Sequence, residues 1–232
     1  MIPLKDLNPR RTFPIVTLGL IAVNVAVFLY QITLPPQAMT EFVMAYAMVP
    51  AKLDQALAGP AGVPLQAALL PFLTSMFLHG GWLHIIGNMW FLWIFGDNVE
   101  DELGHFRYLL FYLLCGVGSG LAQTVFSWGS PVATLGASGA ISGVLGAYML
   151  FFPRAQILTL IPLIIFFFTV KLPALFFIGF WFVLQFLSGM GSLQSGGAAG
   201  GVAWWAHVGG FLLGILLVKT AMPPRKCWGA HG

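Results

Sequence analysis

Apolar residues in this chain fall into long blocks separated by short polar breaks, and the blocks have the length of membrane crossings. Phe13 to Leu34 is an apolar run of about 22 residues, enough for one helical span. Pro35 to Leu70 breaks the pattern with Pro35, Pro36, Pro50, Pro60 and Pro64 and a single lysine, Lys52. It reads as an external loop lying partly in the membrane interface. Phe72 to Phe95 predicts a second span that ends at the charged turn Asp97 to Glu102, and Gly104 to Trp128 predicts a third. The fourth runs from about Leu135 to Phe152 and stops at Pro153-Arg154. Ala155 to Leu187 is apolar for about 33 residues, too long for one straight crossing, and Pro162, Lys171 and Pro173 divide it. The last span covers about Val202 to Val218.

Charge decides how the ambiguous segment is divided. With one crossing there, roughly Pro173 to Leu187, the cytoplasmic side collects Lys5, Arg10, Arg11, Arg107, Arg154, Lys171, Lys219, Arg225 and Lys226, and only Lys52 lies outside. Two crossings would place the C-terminal basic group outside. Ala155 to Val170 is therefore expected to be a cytoplasmic-side, re-entrant or interfacial segment. Ser188 to Gly201 becomes an external Gly/Ser-rich loop able to move as a cap. The expected fold class is an all-α polytopic membrane protein with six spans over residues 13–220. Short cytoplasmic tails, 1–12 and 221–232, flank it.

Composition agrees: 59% of residues are apolar and 7% charged, which excludes a soluble globular chain. The net charge of +3 reflects scarce acids rather than a basic run interleaved with aromatics, so nucleic acid is not an expected partner. Cys115 and Cys227 should lie at different depths, which argues against a disulfide. The first apolar segment has no small-x-small exit, so no cleavable signal is expected.

The candidate chemistry gathers around Leu135 to Tyr148, LGASGAISGVLGAY, where Ser138 stands among Gly139, Gly143 and Gly146. Such a helix is built to lie hard against a neighbour. The second, fourth and sixth spans all enter from the external face, which places His84, Asn88, Ser138 and His207 at a similar shallow depth. His84 and Asn88 are i and i+4 and share a helix face. Gly210 and Gly214 repeat the small-xxx-small spacing, so the fourth and sixth helices are expected to touch and bring His207 to Ser138. One reading is a structural hydrogen-bond network. The other makes His207 general base for Ser138, with His84, Asn88 and backbone N–H groups stabilising an oxyanion. No carboxylate lies at this depth, so the arrangement would be a Ser-His dyad. Zinc held by His79, His84 and His207 is a weak rival, because HExxH is absent.

The motifs resemble those of rhomboid intramembrane serine proteases. Gly136-Ala137-Ser138-Gly139 matches GxSG, His84-xxx-Asn88 matches HxxxN, and Ala206-His207-xx-Gly210-xxx-Gly214 matches AHxxGxxxG, over about residues 71–217. The resemblance implies a six-transmembrane-helix rhomboid fold with Ser138 as nucleophile, His207 as base, and His84 and Asn88 stabilising the oxyanion. It implies cleavage of transmembrane protein substrates near the external face of a lipid bilayer, without metal, nucleotide or other cofactor. The short tails resemble a minimal bacterial form in a cytoplasmic membrane. Only Ser138 has Gly two residues before it, so Ser142 is assigned to packing or water retention. Many members carry a Tyr where Ser142 stands and a Trp-Arg pair in the first loop, and this chain has neither. His79 resembles a further family histidine, expected to hold the loop to the helix by a hydrogen bond. A non-catalytic helix-binding member of the same fold is the alternative; such proteins typically lack the serine or the histidine.

Overall fold

The computed structural model describes residues 1–59, 62–163, 166–194 and 202–224. Prolines open several of its helices, because the first helical position needs no N–H and favours the fixed proline φ. Thus the expected external loop contains α2 (Pro36–Tyr46) and α3 (Pro50–Leu57), both beginning on Pro, then α4 (Leu65–Leu69), and α5 (Pro71–Thr74) follows it, again opening on Pro. The longer helices are α1 (Ile15–Thr33), α6 (Trp82–Leu103), α7 (His105–Phe126), α8 (Ser138–Phe151), α9 (Ala174–Gln194) and α10 (Trp204–Thr220). Three of them, α1, α7 and α9, are long and apolar enough to cross a membrane; α6 with the bent stretch before it, turned by 76°, makes a fourth. α8 and α10 are shorter apolar helices.

Contacts at both ends fix the helix directions. At one end Val16 and Thr17, in the first turn of α1, donate backbone N–H groups to the Glu100 carboxylate near the end of α6, at 2.9 and 2.8 Å. At the other, Gln31 near the end of α1 exchanges hydrogen bonds with the backbone of His79, just ahead of α6. These two helices are therefore antiparallel. The same logic sets α7 against α10: Arg107 donates to the carbonyl of Pro223, and Gln123 Oε1 accepts from Ala206 N–H at 3.1 Å.

The acidic segment Asp97 to Glu102 is the end of α6 rather than a turn, and it has a structural task. α1 has no side-chain N-cap of its own, and its orphan N–H groups find Glu100 instead. Asp101 accepts from the N–H groups of Arg11 and Thr12, and Glu102 pairs with the Arg11 guanidinium at 2.5 Å.

The centre of the bundle is α8, whose residues Gly139 to Tyr148 are all buried. It lies along α10 through glycines. A methyl group added at Gly210 would collide with the carbonyl of Gly139, one at Gly214 with the backbone of Gly143, and one at Gly146 would lie 2.6 Å from the carbonyl of Phe211. The expected seam between the fourth and sixth spans is present, and the two helices run parallel.

Two expectations need correction. Ala155 to Val170 is strand rather than helix, which overturns the all-α class, and residues 1–12 are not merely a tail. The segment forms β2 (Gln156–Leu163) and β3 (Phe166–Pro173), paired antiparallel from Gln156 opposite Pro173 to Leu163 opposite Phe166. β1 (Ile2–Asp6) adds to β2, giving one sheet in the order β1-β2-β3, so the fold is mostly helical but not all-α. A continuous apolar run cannot be told apart as helix or strand by periodicity. The resolving signals were its β-branched and aromatic content and Pro162, which a helix interior would not accept. Ser188 to Gly201 also departs from expectation: α9 continues to Gln194, so half of the expected loop is helix. Residues 195–201 lie outside the described residues, as do Arg225, Lys226 and Cys227.

Candidate active site

Local sequence explains how Ser138 is presented. It is the first residue of α8, and Gly136 two residues earlier has φ +121°, a conformation that side chains rarely adopt. A methyl at Gly136 would also lie 2.6 Å from His84 Nε2 and 3.6 Å from Asn88 Nδ2. The first glycine of the motif therefore lets the chain turn into α8 while passing against both residues of α6. Gly136 N–H is anchored on the carbonyl of Ser75, and Thr134 and Met48 exchange backbone hydrogen bonds, which ties the approach to the loop ahead of α3.

The glycine seam brings His207, in the first turn of α10, to the start of α8. His207 Nε2 and Ser138 Oγ are 2.7 Å apart. His207 Nδ1 lies 2.8 Å from Gln185 Oε1 on α9. Trp181 and Trp204 flank the imidazole, with ring centroids 6.1 and 6.2 Å away. Ser142 is fully buried and donates to the carbonyl of Ser138 at 2.6 Å, in keeping with its assignment to packing.

The expected pair on α6 is at the same place. His84 Nδ1 accepts from Gly80 N–H at 3.3 Å, so the ring proton belongs on Nε2, the nitrogen beside Gly136. Asn88 is buried, and its Nδ2 has no acceptor among the described residues. Two donors thus converge beside the serine with at least one unsatisfied. A cavity of about 570 Å³ opens there, lined among others by His84, Asn88, Ser138, Trp181 and His207 and by no carboxylate among the described residues. Its dimensions suit an extended piece of polypeptide rather than a water molecule.

His79 is held otherwise than expected. Its backbone, not its ring, makes the hydrogen bonds to Gln31 that secure the loop to α1. The buried ring lies edge-on to His84 at a centroid distance of 5.1 Å. Two residues near the site, Gln123 and Gln185, belong to no motif. Each is an amide in a largely apolar helix, and that is the signal that would have found them, since such groups face the protein interior.

A model of the rhomboid domain matches residues 66–224, which include all four candidate residues. RHOMBOID-like protein 6, mitochondrial, of Arabidopsis thaliana is 32% identical over 157 residues, which cover 67% of this chain and 45% of the relative. Rhomboid protein 1, mitochondrial, of Saccharomyces cerevisiae is 32% identical over 157 residues, covering 63% of the chain and 40% of the relative. Rhomboid protease GluP of Bacillus subtilis is 44% identical over 77 residues, 33% of the chain and 15% of that protein. The chain spans less than half the length of each.

Proposed function

The chain belongs to the rhomboid family of membrane proteins, which includes intramembrane serine proteases, and we propose that it is one: a serine endopeptidase that cleaves transmembrane segments of other membrane proteins near the external face. The single observation that carries the proposal is the 2.7 Å contact between His207 Nε2 and Ser138 Oγ inside a cavity with donors to spare.

In the proposed reaction His207 Nε2 takes the Ser138 proton as Oγ attacks the scissile carbonyl. His84 Nε2–H and Asn88 Nδ2–H, with the first N–H groups of α8, which no helical carbonyl satisfies, receive the developing oxyanion. His207 then protonates the leaving amine. A water, deprotonated by the same nitrogen, hydrolyses the Ser138 ester and regenerates the pair.

The proposed topology has six spans over 13–220 with both termini cytoplasmic and the protease core over about 71–217. Helix directions support it. Lys5, Arg10, Arg11, Arg107, Arg154, Lys171 and Lys219 belong to the end of the bundle opposite Ser138, as the positive-inside bias requires. The expected bacterial cytoplasmic membrane is not carried forward, because two of the relatives above are mitochondrial by name. The assignment is to a multi-pass membrane protein.

The test is cleavage of a tagged single-span reporter in proteoliposomes, together with labelling by a serine-reactive fluorophosphonate. Ser138→Ala and His207→Ala should each lose at least about 10³-fold in cleavage, while Ser142→Ala keeps most of it. Equal cleavage by wild type and a folded Ser138→Ala would sink the proposal in favour of a non-catalytic helix-binding protein.

A further inference from the structure

We propose that Gln185 is the positioning residue of the base: its side-chain carbonyl holds His207 in the tautomer that can accept the serine proton. This rests on the reading of Ser138 and His207 as nucleophile and base.

A neutral imidazole carries one ring proton, and the nitrogen facing Ser138 Oγ must be free of it to act as base. The proton then sits on Nδ1, where it needs an acceptor. In hydrolases with three-membered sites a buried carboxylate provides one, fixing both tautomer and ring orientation. Here no carboxylate lines the cavity among the described residues. What meets Nδ1 is Gln185 Oε1, at 2.8 Å.

The orientation of the amide matters. Were its NH₂ group turned toward the ring, Nδ1 would have to accept, the ring proton would move to Nε2, and His207 would donate to Ser138 instead of drawing its proton away. With the carbonyl inward, the Nδ1–H to Gln185 bond and the Ser138 O–H to Nε2 bond run in one direction. Gln185 is 9% exposed, so water competes poorly for either partner.

Its placement is also distinct from the glycine seam. Gln185 comes from α9, one turn past Trp181 and Phe182, and Phe182 stacks on Phe211 of α10 with centroids 4.4 Å apart. Two helices bring base and nucleophile together, and a third turns the ring. An amide cannot become charged, so it orients His207 without the added stabilisation that a carboxylate would give the imidazolium.

Three variants test this in the full chain in proteoliposomes: Gln185→Leu, which keeps the bulk and removes the acceptor, Gln185→Glu, which restores an acceptor oxygen, and His207→Ala. Gln185→Leu should lower kcat about 10²-fold, less than the roughly 10⁴ lost when a carboxylate orienter is spoiled, with KM and apparent Tm little changed. Gln185→Glu should recover most of the loss. Nitrogen-15 spectra of the His207 ring should show the Nδ1–H tautomer in the wild type and a mixed population in Gln185→Leu. If the leucine variant keeps wild-type kcat, or loses it with the tautomer unchanged and no rescue by Glu, Gln185 is packing and the inference fails. If His207→Ala is as active as wild type, the underlying dyad fails instead.

Discussion

Asn88 carries a cost to folding for which the proposed chemistry supplies a reason. Its Nδ2 is a buried donor with no acceptor, a condition that costs about 1–3 kcal/mol. It lies beside Gly136 and lines the cavity that holds Ser138, so under the proposed mechanism the missing partner is the transition-state oxyanion. Asn88→Leu should therefore lower kcat by about 10²–10³ while apparent Tm stays level or rises. A fall in Tm matching the loss of activity would mean that Asn88 is a structural hydrogen-bond donor after all. Much at this scale was legible beforehand. Ser138, His207, His84 and Asn88 were all singled out from the sequence; Ser138 and His207 are in contact, and all four line one cavity. Gln185 was not, because an amide without a repeating neighbour gives no spacing to read; only the contrast with its apolar helix marked it.

At the scale of elements, the same split follows from what periodicity can carry. The contact of α8 with α10 was readable because Gly139, Gly143, Gly210 and Gly214 recur every four residues, and small residues at that interval have one use in a membrane. The sheet was not, because pairing β1 with β2 joins residues more than 150 positions apart, and neither strand alternates apolar with polar residues. The acidic end of α6 was noticed as charge but not as a cap, since its partner lies on another helix. Glu100 is fully buried and accepts from Val16 N–H, Thr17 N–H and the Thr17 hydroxyl. His105 Nδ1 lies 2.6 Å from it. Replacing it by Ala would leave the Val16 and Thr17 N–H groups without their acceptor, and the expected loss is about 2–5 kcal/mol. The measurement is the apparent Tm in detergent of Glu100→Ala against wild type, with Ser138 labelling at low temperature retained. An unshifted Tm would show that α1 is held by its apolar contacts alone.

Across the whole molecule, the sheet end and the serine end are joined by the helices they share. Asp6 in β1 accepts from Tyr148 OH at 2.9 Å, near the end of the helix that begins with Ser138, and from Asn98 at 3.1 Å, near the end of the helix that carries His84 and Asn88. Burial raises the pKa of Asp6 to about 6, with the Tyr148 hydrogen bond opposing and the nearby Asp97 carboxylate adding to the rise. An acid whose pKa is raised by folding keeps in the folded state a proton that the unfolded chain has already released. Its contribution is fully present below about pH 4, falls as pH rises through about 6, and is level beyond that. At about 1.4 kcal/mol per pH unit, the loss across that window is about 2–3 kcal/mol. Other carboxylates titrate nearby, so the useful quantity is the difference between wild type and Asp6→Asn, which keeps an acceptor for Tyr148 and cannot ionise. The variant should match the wild type in apparent Tm below about pH 4 and exceed it at pH 7.5. Because the strand braces two helices that meet again at the serine, the same pH rise should also loosen the seating of β1, read as faster amide exchange at Ile2 to Asp6. Parallel Tm curves for the two proteins across this range would mean that Asp6 titrates as an ordinary surface acid and that the sheet does not brace the helices through it.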